Sequence, residues 1–127
     1  MPDAPARTDS PRIVVVGPCA SGKSTLVANL QRAGIDAWVA GQEHSAVRSL
    51  WARRNPDLVV ALDLSLDHVR ARRGQSWSSD LYATQHERLR DAFANADLTL
   101  DTGVTSEEEA LAAVLALVAD VSPDPAP

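Results

Sequence analysis

Several scarcities limit what this chain can be. A single cysteine, Cys19, leaves no internal disulfide to form. With the lack of a signal-peptide pattern, it predicts a cytoplasmic location. No apolar stretch approaches the ~18 residues that a membrane span needs, so no membrane partner is expected. Positive charge is in deficit: 12 Lys and Arg against 17 Asp and Glu give a net charge of −5. That balance argues against a surface that coats nucleic acid. No internal repeat is present. Lysine is the scarcest cation of all, because every cationic side chain except Lys23 is an arginine.

What remains is ordinary for a globular domain: 127 residues, 45% apolar and 23% charged. This length suffices for one α/β core with little room for insertions. Residues 1–11 hold three prolines without apolar periodicity, and half of residues 122–127 are proline. Both ends read as disordered tails, leaving a folded unit over residues 12–121.

The one lysine stands inside Gly17-Pro18-Cys19-Ala20-Ser21-Gly22-Lys23-Ser24, the pattern G-x-x-x-x-G-K-S. This is the pattern of a phosphate-binding loop: backbone N–H groups of the turn cradle phosphate oxygens, the lysine reaches the β- and γ-phosphates, and the hydroxyl ligates Mg²⁺. A chain of average composition and this length matches it only about 0.4 per cent of the time. The flanks agree with it. Ile13-Val14-Val15-Val16 reads as a buried parallel strand running directly into Gly17. Leu26, Val27, Leu30 and Ala33 recur at helical spacing, with Gly34 placed to end the helix. The helix N-terminus adds partial positive charge to the phosphate site. The nucleotide-binding set is therefore Gly17 to Ser24, with Thr25 beside it, and Ser24 is the first metal ligand.

Further along, residues 36–40 read as a second strand, followed by the loop Gly41-Gln42-Glu43-His44. Ser45 looks like an N-cap, with Val47, Leu50 and Trp51 on one face of a helix that Asn55-Pro56 stops. Residues 58–62 form a third strand that ends at Asp63. From Ser65 a basic helix carries Val69, Arg70, Arg72 and Arg73 to a break at Gly74. Another helix spans about residues 79–94, with Leu81, Leu89 and Phe93 inward. Residues 98–100 make a fourth strand, closed by Asp101-Thr102-Gly103. The last helix opens with a capping box, Ser106 to Glu109, and buries Leu111, Val114, Leu115 and Val118. Such alternation predicts an α/β fold: one P-loop NTPase domain with a parallel sheet of about four strands and helices on both faces.

Two further segments carry a resemblance. Pro56-Asp57, the apolar run to Leu62-Asp63, and then Arg70, Arg72 and Arg73 resemble the strand and lid-helix entry of thymidylate kinase and related P-loop kinases. Ala96-Asp97-Leu98-Thr99-Leu100-Asp101-Thr102 with Ser106-Glu-Glu-Glu109 is similar to the close of adenylylsulfate kinase. The loop together with Gln42-Glu43-His44-Ser45 and Trp51 also resembles short bacterial ATP-binding proteins. The resemblance implies ATP and Mg²⁺ as cofactors and a small-molecule acceptor, nucleoside or nucleotide-like, in a monomer or homodimer. It implies that Arg72 and Arg73 close over the triphosphate as lid residues, and that Thr102 and Gly103 meet the base through their backbone. No Asn/Thr-Lys-x-Asp guanine-reading motif is present.

The chain departs from these kinases in one respect. They place a further strand, bearing a carboxylate, between the second strand and the Pro-Asp strand. Here residues 58–63 either take the place beside the first strand, or that layer is missing. The second carboxylate is thus divided between two residues. Asp63 is a Walker B metal ligand or a helix N-cap. Glu43 is a general base, a water-mediated metal contact or a solvated loop residue. His44 is a proton carrier or caps the helix that follows. Trp77 and Tyr82 stack on a base or anchor packing, and Cys19 reads as small loop filler.

Overall fold

A computed structural model of the chain describes residues 10–121. The expectations for residues 1–9 and 122–127 lie outside the described residues. The elements run β1 (Ile13–Val16), α1 (Lys23–Arg32), β2 (Ala37–Val39), β3 (Leu58–Asp63), α2 (Leu66–Arg73), α3 (Ser79–Ala94), β4 (Leu98–Asp101) and α4 (Glu107–Val121). The four strands form one parallel sheet in the order β2-β1-β3-β4. The expected α/β class, with a four-stranded parallel sheet and helices on both faces, is what the chain adopts.

The strand pattern explains the layering. All four residues of β1 are fully buried, as a central strand covered on both sides requires. Alternate side chains divide between the two faces. Ile13 and Val15 join Leu58, Val60 and Leu62 under Leu26, Val27 and Leu30 of α1 and Ala110 and Val114 of α4. Val14 and Val16 join Trp38, Val59 and Ala61 under Leu89 and Ala92 of α3. The sheet order resolves the strand question: β3 lies directly beside β1, and β2 pairs with the other edge of β1. Among the described residues no strand separates β2 from β1. The chain leaves β1 toward one side and returns on the other, and the crevice outside the carboxyl ends of such strands is where open α/β sheets bind ligands.

Two expectations need correction. The helix after Ser45 does not form. Beyond the 3₁₀ turn Gln42–His44, irregular chain leads from Ser45 to a second short 3₁₀ turn, Leu50–Ala52. The buried side chain of Gln42 is the reason. Its Nε2 donates to the Val47 carbonyl at 2.7 Å, and its Oε1 accepts from the Trp51 N–H at 3.0 Å. Ser45 Oγ accepts from the Val47 N–H at 3.0 Å. Side-chain bonds of this kind satisfy backbone groups that a helix would otherwise pair. The second correction is Leu81, which is exposed on α3 rather than inward.

A polar strap ties α3 to β3. His86 Nε2 lies 2.8 Å from Asp63 Oδ1, and Nδ1 lies 3.0 Å from the Tyr82 carbonyl. Both ring nitrogens face acceptors, an arrangement best served by the doubly protonated ring. The Asp63 hydrogen bond, opposed by burial and aided by the Tyr82 carbonyl, raises the His86 pKa above its ordinary 6.5. Burial pushes the Asp63 carboxyl up, but the hydrogen bond and charge of His86 and the Leu64 N–H outweigh it and hold the pKa below 3.8.

The stability that His86 supplies is therefore complete below its ordinary pKa and is lost as pH rises through its raised folded value. The contribution of Asp63 is present above its ordinary value and is lost as pH falls through the lowered folded one. Urea unfolding of the wild type and His86→Ala should show a stability difference that shrinks from about pH 6 to about pH 8. A difference that stays constant or widens over that interval contradicts the strap.

Candidate phosphate-binding site

The loop between β1 and α1 is shaped by backbone geometry. Gly17 has no room for a side chain, because a Cβ there would lie 2.5 Å from the Leu62 carbonyl oxygen of β3. Ala20 and Gly22 both have positive φ, 71° and 92°. A left-handed Ala is uncommon and costs about 1 kcal/mol, so the surrounding structure must hold it. Gln85 of α3 contributes to this: it is buried, and its Oε1 accepts from the Cys19 N–H at 3.0 Å. The Ser21 N–H closes a turn onto the Pro18 carbonyl at 3.2 Å. Alternating handedness of this kind aims successive N–H groups into one concavity. The first-turn N–H groups of α1, with no residue four positions earlier in the helix to bond, add to it.

Lys23 opens α1 and is buried. Its Nζ donates to the carbonyls of Gly17 at 2.9 Å and Pro18 at 3.0 Å, and lies 2.9 Å from Glu43 Oε2. Glu43 arrives on the 3₁₀ turn just beyond β2, and the direct pairing of β2 with β1 brings it against the loop. It is 4% exposed, and its second oxygen, Oε1, has no partner among the described residues. Ser21 Oγ is likewise buried and unpartnered. Ser24 and Thr25, by contrast, are exposed at the start of α1.

These residues surround a cavity of about 900 Å³. Cys19 to Thr25 of the loop line it, with Glu43, His44, Arg72, Arg73 and Thr102. Arg72 bridges two walls, with Nη1 donating to the Ala20 carbonyl at 2.6 Å and Nη2 to the Thr102 carbonyl at 2.5 Å. Arg73 lies 5.9 Å from the Trp77 ring centroid. Arg70 instead turns to the Trp77 carbonyl at 3.0 Å. Thr102 is fixed to the Asp63 carbonyl through its N–H at 2.8 Å. Thr105, Ser106 and Glu107, at the start of α4, complete the wall. The sequence reading did not single these out as site residues, since a capping box has a full structural purpose of its own.

Some expected residues are not brought together. Asp63 does not line the cavity. Leu62 faces α1, α4 and the cavity, so the two-residue period of β3 turns Asp63 to the α3 face, where His86 meets it. Asp63 is not the N-cap of α2 either, since Ser65 accepts from the His68 N–H. Gly103 packs against the His68 ring and is not on the cavity wall. Trp77 and Tyr82 are also off the wall, the Tyr82 hydroxyl donating to the Leu64 carbonyl at 2.9 Å. Burial and the carboxylates of Asp63 and Asp101 raise the Tyr82 pKa.

No protein-family model matches the chain, and no curated protein does. Among solved structures it is similar to the YorR protein of Bacillus subtilis, determined in complex with phosphorylated GDP. The two share a TM-score of 0.57 and 17% identity over 84% of this chain and 95% of that one. The likeness shows a common fold. Among the described residues no helix is long and apolar enough to cross a membrane.

Because the obstacle at Gly17 is backbone rather than a flexible side-chain end, Gly17→Ala should shift β1 against β3. The expected cost is about 1–3 kcal/mol, the usual size for overpacking. A urea midpoint equal to that of the wild type contradicts this packing.

Proposed function

We propose that the chain binds a nucleoside triphosphate with Mg²⁺ and transfers its γ-phosphoryl group to a hydroxyl or phosphate of a small molecule, nucleoside or nucleotide-like. The observation that carries this reading is the buried Lys23–Glu43 pair on the wall of a cavity lined by residues 19–25 of the loop and first helical turn. The residues suit the groups they would hold. The cavity is of the size that small-molecule sites occupy. Mg²⁺ favours oxygen ligands, and the exposed Ser24 hydroxyl supplies one. Bound Mg²⁺ would neutralise charge on the β- and γ-phosphates.

The residues of the chain would do the remaining work. N–H groups from Gly22 to Thr25, at the start of α1, hold phosphate oxygens in place. Lys23 exchanges its carbonyl acceptors for phosphate oxygens and takes up charge that develops on the transferring group. Glu43 accepts the proton of the acceptor hydroxyl. Arg72 and Arg73, at the end of α2, bring guanidinium groups to the open side. ATP follows from the resemblance to thymidylate kinase and adenylylsulfate kinase. The phosphorylated GDP held by the YorR protein makes GTP the necessary comparison.

A second reading has a specific observation in its favour. All three donor positions of the Lys23 ammonium are engaged without nucleotide, two by its own loop and one by Glu43. A nucleotide-driven switch or slow ATPase would work if triphosphate binding displaced the Glu43 contact as well as the two carbonyls and so freed the Glu43 turn.

ADP release measured over a panel of nucleosides, nucleotides and small alcohols separates the two. Acceptor-dependent release that Lys23→Ala abolishes supports transfer. Glu43→Gln should lower it by about 10²- to 10⁴-fold, the usual worth of a general base, with nucleotide binding retained. Release that no acceptor stimulates establishes the switch. If neither ATP nor GTP raises the thermal midpoint in Mg²⁺, nucleotide binding itself fails.

A further inference from the structure

We propose that Cys19, Glu43 and His44 form a site for a zinc-class divalent cation on the rim of the phosphate cavity, distinct from Mg²⁺ at Ser24. One ligand atom from each of the three residues lies within 4.8 Å of the other two. Cys19 Sγ is 3.8 Å from His44 Nε2, and His44 Nε2 is 3.5 Å from Glu43 Oε2. Bonds of about 2.3 Å to sulfur and about 2.0–2.1 Å to nitrogen and oxygen give tetrahedral edges of about 3.6 Å and about 3.4 Å. These two separations lie within a few tenths of an ångström of such edges, and the Cys19–Glu43 edge is no longer than 4.8 Å.

Two independent features point to a ligand here. The first is the Glu43 carboxylate, whose side chain is 5% exposed and whose Oε1 has no partner among the described residues. The oxygen near His44 is Oε2, which also meets Lys23; an unpaired Oε1 out of water is costly, and a cation engaging both oxygens of the carboxylate would relieve it. The second is the treatment of Cys19. Gln85 is 2% exposed and commits both of its polar atoms to this residue. Oε1 accepts from the Cys19 N–H, and Nε2 donates to Sγ at 3.2 Å. Amide donation to a ligating sulfur is the outer support that metal sites use to orient their ligands.

The donor chemistry selects the ion. Thiolate, imidazole and carboxylate together suit zinc-like ions, whereas Mg²⁺ prefers an all-oxygen set. The His44 ring is largely exposed and gives the ion a path from solvent. Three protein ligands leave a fourth position, and all three residues line the phosphate cavity. Water or an anionic oxygen from that cavity would complete the tetrahedron.

The site shares Glu43 with the proposed phosphoryl transfer, and it is tested without nucleotide so that the two readings fail separately. The full chain, stripped with chelator, is titrated with Co²⁺ and then Zn²⁺. Binding at one ion per chain should give a thiolate-to-Co²⁺ charge-transfer band in the near ultraviolet and the intense visible bands of a tetrahedral ion. Zn²⁺ should remove both, and excess Mg²⁺ should not. Cys19→Ser should abolish the charge-transfer band. His44→Ala, at an exposed position where folding is not at risk, should weaken Co²⁺ and Zn²⁺ at least tenfold. Gln85→Glu should retain the band and alter the affinity. A spectrum that stays that of the hydrated ion overturns the proposal. A charge-transfer band whose affinity is unchanged in His44→Ala also overturns it, since that describes a lone thiol.

Discussion

The Lys23–Glu43 contact at 2.9 Å joins the two halves of the site. Lys23 belongs to the loop that leaves β1, and Glu43 to the turn that leaves β2. Both side chains are buried, so removing one would leave the other charge unpaired in a poorly hydrated place. The pair forms because β2 lies directly against β1, with Val15 opposite Val39. Sheet order thus becomes site chemistry: a strand inserted between β1 and β2 would move Glu43 about 4.8 Å further from the loop and end the contact.

The rest of the cavity is built around that pair by elements with structural work of their own. Gln85 reaches from α3 to hold the loop at Cys19, and Arg72 reaches from α2 to hold both Ala20 and Thr102. These are long side chains bonded to loop backbone, and they keep Ala20 in its left-handed conformation against its own preference. Arg72 has two carbonyls to give up if it is to act on a phosphate. The proposed lid role and the observed structural role of this residue would then be successive states of one side chain.

Much of the fold was legible in the sequence. The β-branched runs at residues 13–16 and 58–62 and the helical spacing after Lys23 are local signals that packing reinforces. The loop was legible for the same reason, since its glycines answer to backbone demands that only neighbouring residues set. Long-range facts were not legible. The failure of the Ser45 helix depends on where the Gln42 amide points once buried. The turn of Asp63 toward His86 depends on which face of β3 receives α3, and the apolar run leading into it carries no sign of that. The meeting of Cys19 with Glu43 and His44 depends on strand order, and no spacing in the chain encodes it.

One measurement tests the central pair most directly. Lys23 is the only lysine, so ¹⁵N-lysine labelling yields a single side-chain ammonium resonance. In the nucleotide-free protein that signal should be protected from solvent exchange, as three fixed acceptors require. Glu43→Gln should weaken the protection, and a triphosphate with Mg²⁺ should carry the signal to a new position. An ammonium that exchanges freely with water and does not respond to ATP or GTP would contradict the account.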